Sequence, residues 1–192
     1  MVFIVDSSSG VDNNSYARIK MYLKSISQSL RVSEDQIRAA VLIYGTSALL
    51  AIRFNSYKTL PQLNRLIEDL PKIGGRRRSD LGLEVGARAL SQARRDVPKV
   101  AVLITTGPEA QTIHSKSVAT AAQSLWKIGA NLFILAIGGK NDRRELNSIA
   151  RKPDDIVYIS SPTQLPSYVN LVAKKVTGSG IFGKCSPGKK FF

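Results

Sequence analysis

Six apolar stretches punctuate the chain: "VFIVD", "RAAVLIYG", "LLAIRF", "KVAVLITT", "NLFILAIG" and "DIVYIS". They are rich in the β-branched and aliphatic residues that pack well in strands. Several are apolar at successive rather than alternate positions, the pattern of strands covered on both faces. Between them apolar residues recur at helical spacing. Ile19, Leu23, Ile26 and Leu30 form one such row, Leu63, Ile67 and Leu70 a second, and Val118, Ala122 and Leu125 a third; Leu165, Val169, Val172 and Val176 read as a final helix. Only "GTSA" separates the second and third strands, which is too short for a crossover helix, so these two form a hairpin. The pattern predicts an α/β fold: a doubly wound, mostly parallel six-stranded sheet with one antiparallel edge strand and helices on both faces.

The hydrophobic content of 43% over 192 residues is enough for one sizeable core. Residues 1–177 are read as that domain, and 178–192 as a flexible basic Gly/Ser/Pro/Lys tail. Nothing approaches the run of about 18 apolar residues that a membrane-spanning helix needs. No basic n-region precedes the first strand, so the domain is expected to be a part of a longer chain with neighbouring domains.

Charge alters the picture more than composition does. A net charge of +14 points to polyanionic partners, among them sulfated sugars, acidic proteins, nucleic acid and anionic lipid. The excess is uneven: Lys72 to Lys99 holds eight Lys/Arg against three acids, and Lys174 to the end five against none. Such clusters read equally well as solvated faces. Cys185 is the only cysteine, so no disulfide or thiolate metal framework exists within the chain.

In an open α/β sheet, ligands bind beyond the carboxyl ends of the strands. The loops there are "DSSSG" after the first strand and "TTGPE" after the fourth. Neither GxGxxG nor GxxxxGK[ST] occurs, so a nucleotide site has no support. There is no GxSxG, and the one histidine, His114, is expected on an exposed helix start, so the chain is read as non-enzymatic. A hard cation remains, since it takes oxygen ligands. Asp6 and Ser8, on the same side of an extended turn, supply one carboxylate and one hydroxyl.

At these residues the chain resembles a von Willebrand factor type A (VWA) domain of the kind found in collagens, matrilins and related matrix proteins. The likeness runs from Val2 to about Thr177 through "VFIVDSSSGV", "QIRAAVLIYGTSA", "LNRLIEDLPKIGG", "KVAVLITTG", "GANLFILAIGG" and "ELNSIA". It implies the Rossmann-like VWA fold and a metal-ion-dependent adhesion site built from DxSxS, a distant Thr and a distant Asp. Carried over by position, Asp6 and Ser8 match, the third place falls on Gly10, the Thr place on Ser79 with Gly82 following, and the Asp place on Thr106. One carboxylate and one hydroxyl are thus missing, and the expectation is a degenerate site with weak Mg²⁺ binding or none. Asp80 and Glu109 are candidate replacement carboxylates.

Arg76, Arg77 and Arg78 stand just before Ser79 and are read as an anion-binding rim. One guanidinium about 8 Å from a divalent ion, at an effective dielectric of about 40, costs roughly 2 kcal/mol before screening. Asn13, in "NNS", is a glycosylation candidate beside the same loop. The likeness further implies that Cys185 bridges to a cysteine ahead of the first strand. The resulting expectation is an adhesion domain of a secreted extracellular matrix protein, with collagen, other matrix proteins or glycosaminoglycan as partners. A structural spacer in a tandem array and an intracellular adaptor of the same fold are the alternatives.

Overall fold

The computed structural model describes residues 1–94, 96–110 and 116–178. Its strands are β1 (Val2–Asp6), β2 (Ala40–Tyr44), β3 (Ala48–Ile52), β4 (Val100–Thr105), β5 (Asn131–Ile137) and β6 (Ile156–Ile159). The helices are α1 (Asn13–Ser29), α2 (Leu60–Glu68), α3 (Ser79–Ser91), α4 (Val118–Lys127), α5 (Arg143–Ile149) and α6 (Val169–Gly178). One six-stranded sheet has the order β3-β2-β1-β4-β5-β6, with only the β2–β3 pair antiparallel. The expected fold class is therefore observed, with the hairpin at the edge.

The doubly apolar strands have the expected cause. Along β1, Phe3 and Val5 join a core against α1, α2 and α6, while Val2 and Ile4 join a second core against α3, α4 and α5. Some boundaries differ from the sequence reading. The third strand ends at Ile52, because the Arg53 N–H turns to Ser56 Oγ at 3.1 Å. Leu165 belongs not to the final α-helix but to a 3-10 stretch, Pro162–Tyr168, where Pro166 has no N–H to continue an α-helical ladder.

Helix α3 lies close against the sheet because it presents small residues there. A Cβ on Gly82 would lie 2.9 Å from Ile4 Cγ2, and one on Gly86 2.7 Å from Ile4 Cδ1. That approach fixes the start of α3 beside the carboxyl end of β1. The strand order reverses at β1, whose neighbours β2 and β4 lie on opposite sides, so the crevice beyond β1 and β4 is the topological switch point.

Candidate functional site

Three loops meet at this crevice: residues 7–11 after β1, residues 73–78 before α3, and residues 106–110 after β4. Residues 73–76 form a strap tied down by backbone hydrogen bonds. The Gly74 N–H donates to Ser7 O at 2.8 Å, Ser9 N–H to Gly75 O at 2.9 Å, and Thr46 N–H to Gly74 O at 3.1 Å. Side chains add to this, with Gly75 N–H on Ser9 Oγ at 2.7 Å and Arg76 N–H on Thr46 Oγ1 at 3.1 Å. Gly74 and Gly75 have φ of +74° and +69°, left-handed values that a side chain would strain. The serines of "DSSSG" thus serve largely to seat the strap.

The strap delivers Arg77 into the crevice. Its Nε–H donates to Asp6 Oδ2 at 2.6 Å, Nη2 to Thr106 Oγ1 at 2.9 Å, and Nη1 to the Pro108 carbonyl at 2.9 Å. The Asp6 side chain is fully buried and that of Arg77 is 12% exposed. Asp6 Oδ2 also accepts the Thr106 hydroxyl at 2.7 Å and its N–H at 3.3 Å, while Oδ1 accepts Ser8 N–H at 3.0 Å. Two glycines make room for the guanidinium. A Cβ on Gly10 would lie 2.6 Å from Nη2, and one on Gly107 2.9 Å from Nη1.

These residues do not fit the divalent ion that the VWA likeness implies. The one carboxylate at the expected place is already neutralised by a guanidinium. Among the described residues, Ser8 Oγ is buried without a hydrogen-bond partner, and so is Glu109 Oε1, so one hydroxyl and one carboxylate oxygen remain of a ligand set. The Ser79 hydroxyl is committed to Glu109. Both candidate replacement carboxylates are engaged elsewhere: Asp80 holds Arg78 with both oxygens, at 2.8 and 2.7 Å, and Glu109 accepts the Ser79 N–H at 2.8 Å and its hydroxyl through Oε2. Among the described residues, no group of three or more His, Cys, Asp or Glu could hold a metal ion.

Glu109 does a second job. Helix α3 begins after Arg78, which caps nothing, so the Ser79 N–H at its N-terminus is satisfied from a loop 30 residues away. Burial pushes the Glu109 carboxyl from 4.5 up to about 7; the Ser79 hydrogen bonds oppose this, and the neighbouring Asp80 charge adds to it. For Asp80, burial is the largest single effect and opposes ionisation, but the Arg78 hydrogen bonds, the Leu81 N–H, Glu109 and the Arg78 charge together outweigh it, and the carboxyl stays below its usual value. In the window from 4.5 to about 7 the folded state retains a Glu109 proton that the unfolded chain has lost. The stability from this group is present below the window and is lost as pH rises through it. Glu109→Gln keeps an acceptor for the Ser79 N–H. Its melting temperature minus that of the wild type should therefore rise across the window and level off above it; a pH-independent difference would refute the assignment.

The structure divides the three arginines. Arg76 is exposed, whereas Arg77 and Arg78 turn inward and each pairs with a buried carboxylate. Of the three arginines read as an anion-binding rim, two are thus engaged by Asp6 and Asp80, which would otherwise be buried without these partners. Asn13 is exposed at the start of α1, next to Asp12, which caps the helix by accepting Ser15 N–H at 2.8 Å. Cys185, His114 and the tail beyond Gly178 lie outside the described residues. The Glu109–Ser79 link and the role of Gly107 went unread in the sequence. The available signal was a helix start with no capping residue before it, which requires an acceptor from elsewhere.

Comparisons place this geometry in a family. The chain is 26% identical to the mouse collagen alpha-4(VI) chain over 81% of its length, and 24% identical to mouse matrilin-2 over 92%. It spans only 6% and 19% of those two proteins. The fold matches proximal thread matrix protein 1 from the mussel byssus at a TM-score of 0.84, with 20% identity over 91% of this chain and 47% of that one. A second structure of that byssus protein, matched at a TM-score of 0.82 and 20% identity, is described as having a zinc-occupied MIDAS (metal-ion-dependent adhesion site) motif. The sequence pattern of the von Willebrand factor type A domain matches residues 1–170, and the chain belongs to that family.

Proposed function

We propose that this VWA domain is a non-enzymatic adhesion module of a secreted matrix protein, with a degenerate metal-ion-dependent adhesion site. Its ligand-facing surface is the crevice rim beyond β1 and β4, suited to collagenous or anionic ligands. The supporting observation is the pairing of family with site: the domain is similar to those of collagen chains and a matrilin, and its crevice holds a structural ion pair rather than reacting groups. No helix among the described residues is long and apolar enough to cross a membrane. Arg76 is the strap guanidinium left to meet an anion, and a glycan on Asn13 would crowd the same rim. Cys185 is proposed to bridge to a cysteine outside this sequence.

Solid-phase binding to collagen types and to heparin, in Mg²⁺ or EDTA, tests the reading. Retention on heparin should fall steeply with salt, since Lys/Arg contacts to a polyanion release counterions. Arg76→Ala and a truncation after Thr177 separate the rim from the basic tail with Lys184, Lys189 and Lys190. The rim reading requires Arg76→Ala to lower the eluting salt concentration more than the truncation does. If only the truncation matters, the tail is the anion-binding element. Binding to no matrix ligand would leave the domain as a spacer in a tandem array.

A further inference from the structure

We propose that Arg77 is a tethered replacement for the divalent ion of the adhesion site, so that the crevice is assembled permanently and needs no metal. This deepens the adhesion reading and rests on it for its biological use, though its test needs no adhesion ligand.

Two departures from the family pattern, at Gly10 and Thr106, become one substitution beside Arg77. With an acid at position 106 as well as Asp6, two carboxylates would balance a divalent cation. Thr106 removes one of those negative charges, and the guanidinium supplies a single positive charge to balance the Asp6 carboxylate that remains. The hydroxyl missing at Gly10 has a steric reason too: a Cβ there would lie 2.6 Å from Nη2. Thr106 adapts in turn, since its hydroxyl donates to Asp6 at 2.7 Å and accepts from Nη2 at 2.9 Å. The guanidinium therefore links β1 to the loop after β4 from a strap that is itself fastened to the turn after β2. A bound ion would tie together the same parts but would come and go with its concentration. A side chain on a fastened strap does not.

The test uses Mg²⁺ and Mn²⁺ alone as probes, in calorimetry on the whole chain. Wild type should give no saturable heat at millimolar ion. The variant combining Arg77→Ala, Gly10→Ser and Thr106→Asp removes the guanidinium and restores the ligand set, and should bind at least roughly tenfold tighter than wild type. Saturable wild-type binding that Asp6→Asn abolishes would overturn the proposal, because the guanidinium would then yield to the ion. A folded triple variant that still binds no metal would overturn it too, because Arg77 would not be what excludes the ion. Should the triple variant fail to fold, wild type carries the test through the NMR signal of the Arg77 Nε–H, assigned by its loss in Arg77→Lys. That signal should exchange slowly and stay in place as Mg²⁺ is added or chelated; displacement by Mg²⁺ would refute the replacement. A domain that passes while binding no matrix ligand would fail the adhesion reading alone.

Discussion

Arg77→Ala should destabilise the fold by about 3 kcal/mol, near the lower end of the range for breaking a buried ion pair. The estimate sits there because Asp6 keeps three donors after the change: Ser8 N–H, Thr106 N–H and the Thr106 hydroxyl. What it loses is its one charged partner among the described residues, while its side chain stays fully buried. In a domain of this size the loss corresponds to a fall in melting temperature of roughly 6–12 °C. Arg76→Ala is the matched control, one residue away and exposed, and should cost within about 0.5 kcal/mol. A double-mutant cycle with Asp6→Asn isolates the pair, and the coupling should exceed about 1 kcal/mol. If Arg77→Ala costs no more than Arg76→Ala, the guanidinium faces water and the crevice is not closed by it.

That contrast between adjacent arginines marks where the sequence stops being informative. A run of three like charges before a helix has the composition of a solvated loop, and nothing local distinguishes the middle one. Arg77 turns inward because Asp6, 71 residues earlier, is buried at the end of β1 and pairs with no other cation among the described residues. The strands were legible for the opposite reason: burial on both faces makes each of them apolar within its own few residues. Helix α3 lies between these cases. Its buried face includes Gly82, Gly86 and Ala87 beside Leu83 and Leu90, so close packing left too few large apolar residues for periodicity to reveal the helix. The cation motif was legible through Asp6 and Ser8, but Gly10 and Thr106 read as separate losses. Only the position of the guanidinium shows them as accommodations to one incoming group.

The strap that aims Arg77 gives the second large effect. Gly45→Ala should destabilise the domain by about 2–3 kcal/mol, as overpacking of a closed contact does. A Cβ at position 45 would lie 2.2 Å from the Gly74 carbonyl oxygen and 3.2 Å from Ile73 Cγ2. The nearer atom is backbone, so no rotamer change relieves the contact, and the strap itself must lift. Lifting it strains the Gly74 carbonyl's bond from Thr46 N–H and the Gly74 N–H bond to Ser7 O. Gly45 has no positive φ, so the cost is steric and not conformational. Gly139→Ala is the control, because a Cβ there meets nothing within 4 Å, and it should change stability by less than about 0.5 kcal/mol. Because the strap carries Arg77, Gly45→Ala should also loosen the ion pair, and the Arg77 Nε–H should exchange with solvent faster than in wild type. A variant that loses stability while that N–H stays protected would show that the strap and the arginine are held independently, and that the crevice owes its order to Asp6 and Thr106 alone.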